Sequence, residues 1–189
     1  MIVTLVNAGN LGKSRLNFSG DANDTEVYGT EHSNTNGLEV FDIELSLPAE
    51  AFDKANSSNV VFILYRKTSF FKLTEEDIAL RIRRYVIAAS LVTSNTITNL
   101  TDPVVLRYPK SKEVDVRRAF CVFWNFINTE RKLDGWSTDG CEPVRTYDDT
   151  GYDNCHCKHL TSFAMLLVSL KLVFCMNYSV LGILTKYIS

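Results

Sequence analysis

One stretch of the sequence, residues 155–164, reads Cys-His-Cys-Lys-His-Leu-Thr-Ser-Phe-Ala. In a β-strand, residues two apart point to the same face, so Cys155 and Cys157 can each reach a different partner on a neighbouring segment. Two further cysteines, Cys121 and Cys141, precede this stretch. The cysteine cluster therefore predicts either a disulfide framework or a metal site.

The spacing of the cluster argues against zinc. Structural zinc sites use cysteine pairs separated by two to four residues, whereas one residue separates this pair, and His156 and His159 would crowd the ion. The alternative is two disulfides among four cysteines, for which three pairings are possible. We expect Trp124 and Trp136 to pack over these bridges.

The tripeptide His159-Leu160-Thr161 can carry chemistry. A threonine hydroxyl next to a peptide bond can attack the preceding carbonyl and convert the amide into an ester, which water then hydrolyses. The hydroxyl needs an adjacent base, and a histidine is largely neutral at pH 7 and can accept its proton. The structural alternative is a histidine in front of an ordinary strand.

The rest of the chain has the pattern of an all-β fold, most simply a β-sandwich. Thr74–Ile82 resembles a single helical turn, and residues 1–37 read as one strand and a loop-rich segment. β-Rich runs separated by turn residues are Leu38–Leu45, Val60–Tyr65, Tyr85–Val92, Val104–Tyr108 and Arg118–Ile127.

Composition narrows the possible functions. Of the 189 residues, 46% are hydrophobic and 22% charged, which predicts a folded core rather than disorder. The formal net charge is -2 without a basic stripe, so we expect no nucleic-acid partner. No cofactor is predicted.

Sequons and clustered cysteines together favour an extracellular protein. The apolar run at the N-terminus is too short for a signal peptide, so we expect a fragment of a longer chain. The candidate glycosylation sites are Asn17, Asn23, Asn56, Asn99 and Asn177.

The C-terminal region, from Phe163 to Leu184, is mostly apolar. A single membrane helix through it would place Lys171 near its centre, which is costly. We therefore predict a buried strand at Thr161–Val168, a short linker that contains Cys175 without a partner, and the beginning of a transmembrane helix near residue 180.

Four short motifs in fixed order resemble a known family. They are Cys-x-Phe-Trp from residue 121, Trp-Ser from 136, Gly-Cys from 140 and Cys-x-Cys-x-His-Leu-Thr-x-Phe-Ala from 155. This order is similar to the GPS motif (G-protein-coupled receptor proteolysis site), the C-terminal part of the GAIN domain of adhesion G-protein-coupled receptors. The resemblance extends over residues 38–170, including Asn-Leu-Thr-Asp-Pro-Val from residue 99.

The resemblance implies a self-cleavage reaction that each chain undergoes once. Cleavage would fall between Leu160 and Thr161, with His159 as base, Thr161 as nucleophile and no other enzymatic activity. The new N-terminal segment, from Thr161 to Ser169, would stay buried as a tethered agonist strand, with Phe163 and two leucines as apolar anchors. Those leucines are Leu166 and Leu167.

The resemblance also implies a disulfide pairing and a domain division. Cys121 would pair with Cys155, and Cys141 with Cys157, to staple a sandwich like GAIN subdomain B. The division is a poorly specified segment at 1–37, the sandwich at 38–170 with the GPS motif at 121–164, and a linker with the start of a transmembrane helix at 171–189.

The implied partners are the chain's own N-terminal fragment after cleavage, its transmembrane region and hence indirectly a G protein, and an extracellular ligand. The domain would lie outside the plasma membrane. The alternative is a non-cleaving GPS/GAIN interaction module of a polycystin-like or other membrane protein, which keeps the disulfides and the strand but loses the reaction.

Overall fold

The computed structural model of the protein describes residues 1–10, 15–21, 25–29, 42–71, 80–82, 85–110, 116–125, 135–144 and 152–169. Within these ranges the chain forms two antiparallel sheets and one α-helix, α1 (Ala49–Ala55). The predicted all-β sandwich with two disulfides is confirmed.

The central strand of the first sheet is β13 (Ser162–Ser169), which lies between β7 (Val86–Leu91) and β9 (Val116–Trp124). In spatial order this sheet contains β1 (Ile2–Asn7), β5 (Asn59–Tyr65), β7 (Val86–Leu91), β13 (Ser162–Ser169), β9 (Val116–Trp124) and β10 (Trp136–Ser137), with β6 (Leu80–Ile82) also paired to β13. The second sheet contains β11 (Cys141–Val144), β12 (Tyr152–Cys157), β8 (Val104–Pro109), β4 (Ile43–Leu47), β2 (Leu16–Gly20) and β3 (Thr25–Gly29).

The main core lies between the two sheets. Alternate residues of the strands β2, β4, β5, β7, β8 and β13 point into it, as the period of two requires. Phe18 of the second sheet stacks on Phe62 of the first, with ring centroids 4.8 Å apart. The helix α1 closes one end of this core through its buried residues Ala51 and Ala55.

A second apolar cluster covers the opposite face of the first sheet. Its buried members are Phe71, Val86, Val122, Trp136, Ala164 and Leu166. Trp124 meets Trp136 edge to face at 5.2 Å, and Phe71 contacts both rings. The central strands of the first sheet are therefore covered on both faces.

The N-terminal segment contributes more than the sequence predicts. Residues 1–37 were expected to form one strand and loops, but β1, β2 and β3 all lie there. β1 pairs with β5, and β2 pairs with β4. Asn, Ser and Gly within these strands reduce the sequence signal, while pairing to apolar strands compensates for their weak propensity.

The short helix α1 was not predicted. Pro48 ends the strand before the helix and is also the N-cap of the helix, in an extended conformation. Proline suits the start of a helix because it lacks the N–H that the first helical turn leaves unpaired. Asn56 ends the helix in the left-handed conformation with φ 48°.

The predicted helical turn and the predicted membrane helix fall partly or wholly outside the described residues. Of the predicted helical turn Thr74–Ile82, residues 74–79 lie outside the described residues and Leu80–Ile82 is the strand β6. The predicted linker with Cys175 and the predicted beginning of a membrane helix lie in residues 170–189, also outside them. Among the described residues, no helix has the length and apolar character to cross a membrane.

Candidate functional site at the His159-Leu160-Thr161 junction

The tripeptide lies in the connection between β12 and β13, and we call residues 158–161 the junction. Its backbone is held from two sides. The amide of Lys158 donates to Gly140 O at 2.8 Å, and the amide of Leu160 donates to Ile97 O at 3.0 Å. Because both neighbours of His159 are hydrogen-bonded, the direction of the peptide that follows it is fixed.

The imidazole of His159 is packed between two phenylalanines. Its ring centroid lies 4.3 Å from that of Phe123, edge to face, and 5.7 Å from that of Phe163, nearly parallel. Nε2 lies 3.2 Å from Asp139 O and 3.8 Å from Cys141 Sγ. Because a carbonyl oxygen only accepts, the bond to Asp139 requires the proton on Nε2 and leaves the lone pair on Nδ1.

Burial lowers the pKa of His159 from its ordinary value of 6.5, since the partly apolar surroundings disfavour the charged imidazolium. The hydrogen bond to the Asp139 carbonyl and the negative charge of the Asp139 carboxylate oppose this effect without overcoming it. The imidazole is thus kept neutral at pH 7, which is the form that accepts a proton.

Gly140 makes room for this histidine. Its φ is +70°, and a Cβ built on it would lie 3.2 Å from His159 Cδ2. The left-handed backbone there favours glycine. The glycine of the Gly-Cys pair at 140–141 thus has a physical role: it allows the turn that brings the Asp139 carbonyl against the imidazole.

Thr161 is anchored to the neighbouring strand. Its Oγ1 donates to Trp124 O at 3.2 Å, and its carbonyl accepts from the Ala89 amide at 3.4 Å. Among the described side chains, no hydrogen bond joins the Thr161 hydroxyl to His159. Catalytic hydrogen bonds are often loose before reaction, so the arrangement is compatible with a rotation of the hydroxyl towards the imidazole.

Two disulfides hold the end of β12, immediately before the junction. Cys121–Cys155 joins β9 of the first sheet to β12 of the second, and Cys141–Cys157 joins β11 to β12 within the second sheet. This is the pairing that the resemblance implies, and it leaves no free thiolate in the cluster for zinc. Chain-entropy arguments give roughly 3–4 kcal/mol for each bridge.

The prediction that the tryptophans pack over the bridges is wrong. Trp124 stands three residues after Cys121 on β9, an odd number, so the two side chains point to opposite faces of the sheet. Cys121 faces the main core, whereas Trp124 and Trp136 belong to the second cluster.

The strand that follows the junction is buried on both faces. Phe163, Met165 and Leu167 point into the main core, and Ala164 and Leu166 point into the second cluster. The exposed fractions of Phe163, Leu166 and Leu167 are 0%, 1% and 3%. The predicted apolar anchors are thus core residues of the intact fold.

The candidate glycosylation sites divide by exposure. Asn56 and Asn99 are exposed, both with positive φ. Asn17 is only 6% exposed within β2, where a glycan has no room. Asn23 and Asn177 lie outside the described residues.

Sequence reasoning did not find the surroundings of His159. Asp139 and Ile97 act through backbone oxygens, which any residue carries, so the sequence has no signal for them. Phe123 lies in the Cys-x-Phe-Trp motif, and its period-two relation to Cys121 could have placed it on the inner face.

Adhesion receptors are among the known proteins to which this chain is similar. The chain is 30% identical over 138 residues to human adhesion G-protein coupled receptor G4, covering 72% of this chain and 4% of the relative. It is 34% identical over 134 residues to human adhesion G protein-coupled receptor L1, covering 60% and 9%. Against adhesion G-protein coupled receptor G1 of Macaca mulatta the identity is 43% over 83 residues, covering 42% and 11%.

A solved structure has the same fold. The full extracellular region of zebrafish Gpr126/Adgrg6 superposes with a TM-score of 0.59 at 23% identity, covering 84% of this chain and 21% of that chain. The chain is thus much shorter than the proteins it matches. The family described as GPS: GAIN subdomain B matches residues 10–171, and the chain belongs to this family.

Proposed function

We propose that the protein is the self-cleaving extracellular domain of an adhesion-type receptor. The bond between Leu160 and Thr161 breaks by an N→O acyl shift. The observation that carries the proposal is the complete His-Leu-Thr sequence, positioned with a neutral imidazole at the start of the central strand of a disulfide-bonded sandwich.

The reaction is balanced by groups of the chain and one water. The Thr161 hydroxyl leaves Trp124 O and attacks the carbonyl carbon of Leu160, while Nδ1 of His159 takes its proton. The C–N bond then breaks, and the imidazolium returns the proton to the Thr161 nitrogen. Water hydrolyses the resulting ester, leaving a carboxylate on Leu160 and a free amine on Thr161.

The burial of β13 supports retention of the cleaved strand. Its backbone pairs with β6, β7 and β9, and its large side chains are buried. Full burial of such a side chain contributes about 1.5–3 kcal/mol. Cleavage breaks one covalent bond and leaves these interactions in place, so the two fragments stay associated until they are pulled apart.

Release of the N-terminal fragment would expose Thr161, Phe163, Leu166 and Leu167. The strand then acts as a tethered agonist on the transmembrane region, and a G protein is reached through that region. The two disulfides and the adhesion receptors among the relatives support an extracellular position at the plasma membrane.

One observation favours a second function. In the intact fold the Thr161 hydroxyl donates to Trp124 O and not to His159. A chain in which this bond persists is a non-cleaving interaction module with the same disulfides and the same buried strand.

A denaturing gel of the wild-type chain beside Thr161→Ala separates the two functions. Autoproteolysis predicts two fragments for the wild type and one band for the variant. A single band for both, from protein with intact disulfides, supports the non-cleaving module instead.

A further inference from the structure

A loop on the outside of the sandwich, residues 97–102, lies against the junction. Ile97 and Leu100 anchor it in the main core, with exposed fractions of 5% and 2%. Between them Asn99 takes a left-handed conformation with φ 53°. This turn directs the backbone of the loop towards the junction.

The loop is bonded to the residues on both sides of His159. Ile97 O accepts from the Leu160 amide at 3.0 Å, and the Leu100 amide donates to Lys158 O at 3.0 Å. Leu160 supplies the carbonyl that Thr161 would attack. A displacement of the loop therefore moves that carbonyl relative to the hydroxyl and the imidazole.

Two side chains of α1 hold the outer side of the loop. One carboxylate oxygen of Glu50 accepts from the Thr101 amide at 2.8 Å, the Thr101 hydroxyl at 2.7 Å and the Asp102 amide at 2.9 Å. Lys54 Nζ donates to Asn99 O at 2.6 Å and lies 3.0 Å from the other oxygen of Glu50.

These contacts differ from those of an ordinary surface ion pair. Glu44 on the second sheet, by comparison, pairs with Arg107 at 3.3 Å on the adjacent strand. Glu50 instead binds a loop that is about fifty residues away in sequence. Bonds from the Asp102 amide, the Thr101 hydroxyl and Lys54 lower the pKa of Glu50 to about 2, so its carboxylate stays charged in mildly acidic solution.

We propose that Glu50 and Lys54 are positioning residues for cleavage, which hold the His159-Leu160-Thr161 peptide in its reactive direction through loop 97–102. This role rests on the proposed autoproteolysis. Neither side chain touches the reacting atoms.

Cleavage kinetics test the role in the full-length chain. Glu50→Ala is expected to slow the first-order appearance of fragments by roughly ten- to a hundredfold, the effect of a small misplacement of reacting groups. Glu50→Gln, which keeps an acceptor oxygen, is expected to recover part of the rate. The pH midpoint of cleavage stays unchanged, since His159 is untouched. Glu44→Ala is the matched control and is expected to cleave at the wild-type rate.

Amide exchange separates this role from the proposed reaction. In a Thr161→Ala background, Glu50→Ala is expected to speed exchange of the Leu160 and Leu100 amides at least about tenfold, with the Phe62 amide unchanged. That result supports the positioning role even in a chain that never cleaves, where only autoproteolysis would fail. Unchanged Leu160 protection, or wild-type cleavage of Glu50→Ala, overturns the inference. Equal slowing by Glu44→Ala also overturns it.

Discussion

The junction and the strand that follows it are adjacent in sequence but are held by different interactions. Residues 158–161 are partly exposed and fixed by individual hydrogen bonds to Gly140, Ile97 and Trp124. The buried part of β13, residues 162–167, lies between two apolar clusters. Because hydrogen bonds are directional, small displacements disturb the junction. Apolar burial makes the strand hard to remove but does not by itself promote a reaction.

The largest expected difference concerns the reacting groups. Thr161→Ala removes the nucleophile and should abolish cleavage, while β13 remains in place because Thr161 precedes it. His159→Ala removes the base and should slow cleavage by about 10²–10⁴-fold. Denaturing gels at timed intervals after synthesis measure both.

The control for these variants is His156→Ala. His156 also has a pKa lowered by burial, but it lies on β12 before the junction. It should cleave like the wild type. Equal loss of cleavage in His156→Ala would show that any disturbance of β12 stops the reaction and would remove the special role of His159.

A truncation in the strand should mainly weaken the association of the cleaved fragments, with a smaller effect on cleavage because Phe163 also packs against the His159 ring. Phe163→Ala removes a fully buried ring, which costs about 3–5 kcal/mol in a core. We expect the cleaved fragments to separate at lower denaturant concentration. Leu5→Ala, at a side chain that is 68% exposed, should change the free energy of fragment separation by no more than about 0.5 kcal/mol and so leave the midpoint close to that of the wild type. Size-exclusion chromatography in graded urea measures this, and identical midpoints for both variants would contradict the core role of Phe163.

Gly140→Ala should act on the junction by a smaller amount. A left-handed residue with a Cβ costs about 1–2 kcal/mol, and this Cβ would press on the imidazole at 3.2 Å. If that strain is relieved by moving His159, cleavage slows by roughly tenfold per 1.4 kcal/mol. Gly9→Ala is the control, since its φ is ordinary and its nearest neighbour is a flexible side-chain end. Wild-type cleavage in Gly140→Ala would mean that the turn does not set the imidazole.

The smallest expected effect is the pH dependence. The pKa of His159 is lowered from 6.5 in the fold, so more than half of the base is still neutral at pH 6.5 and the half-maximal cleavage rate should lie below that pH. The stability of the fold depends on pH in the same direction. The unfolded histidine binds more protons, so the contribution of His159 is full above pH 6.5 and decreases as the pH falls towards the folded pKa. A half-maximal rate above pH 6.5 would contradict the buried neutral imidazole.

Part of the fold and part of the junction could be predicted from the sequence. Apolar runs such as Val60–Tyr65 identify buried strands, and the order of the cysteine and histidine motifs indicates the junction. The weak strands β2 and β3 and the helix α1 depend on tertiary pairing that local propensity does not record. The contacts of His159 with Asp139 and of Leu160 with Ile97 use backbone oxygens, which no residue type reveals.

The most direct test of the account is the intact mass of the wild-type chain measured twice. Under native conditions one complex should carry the mass of the whole chain plus one water. After denaturation with the disulfides kept intact, it should separate into two fragments, the second beginning with a free amine at Thr161. A single covalent chain under denaturing conditions, with both disulfides formed, would contradict self-cleavage at the junction.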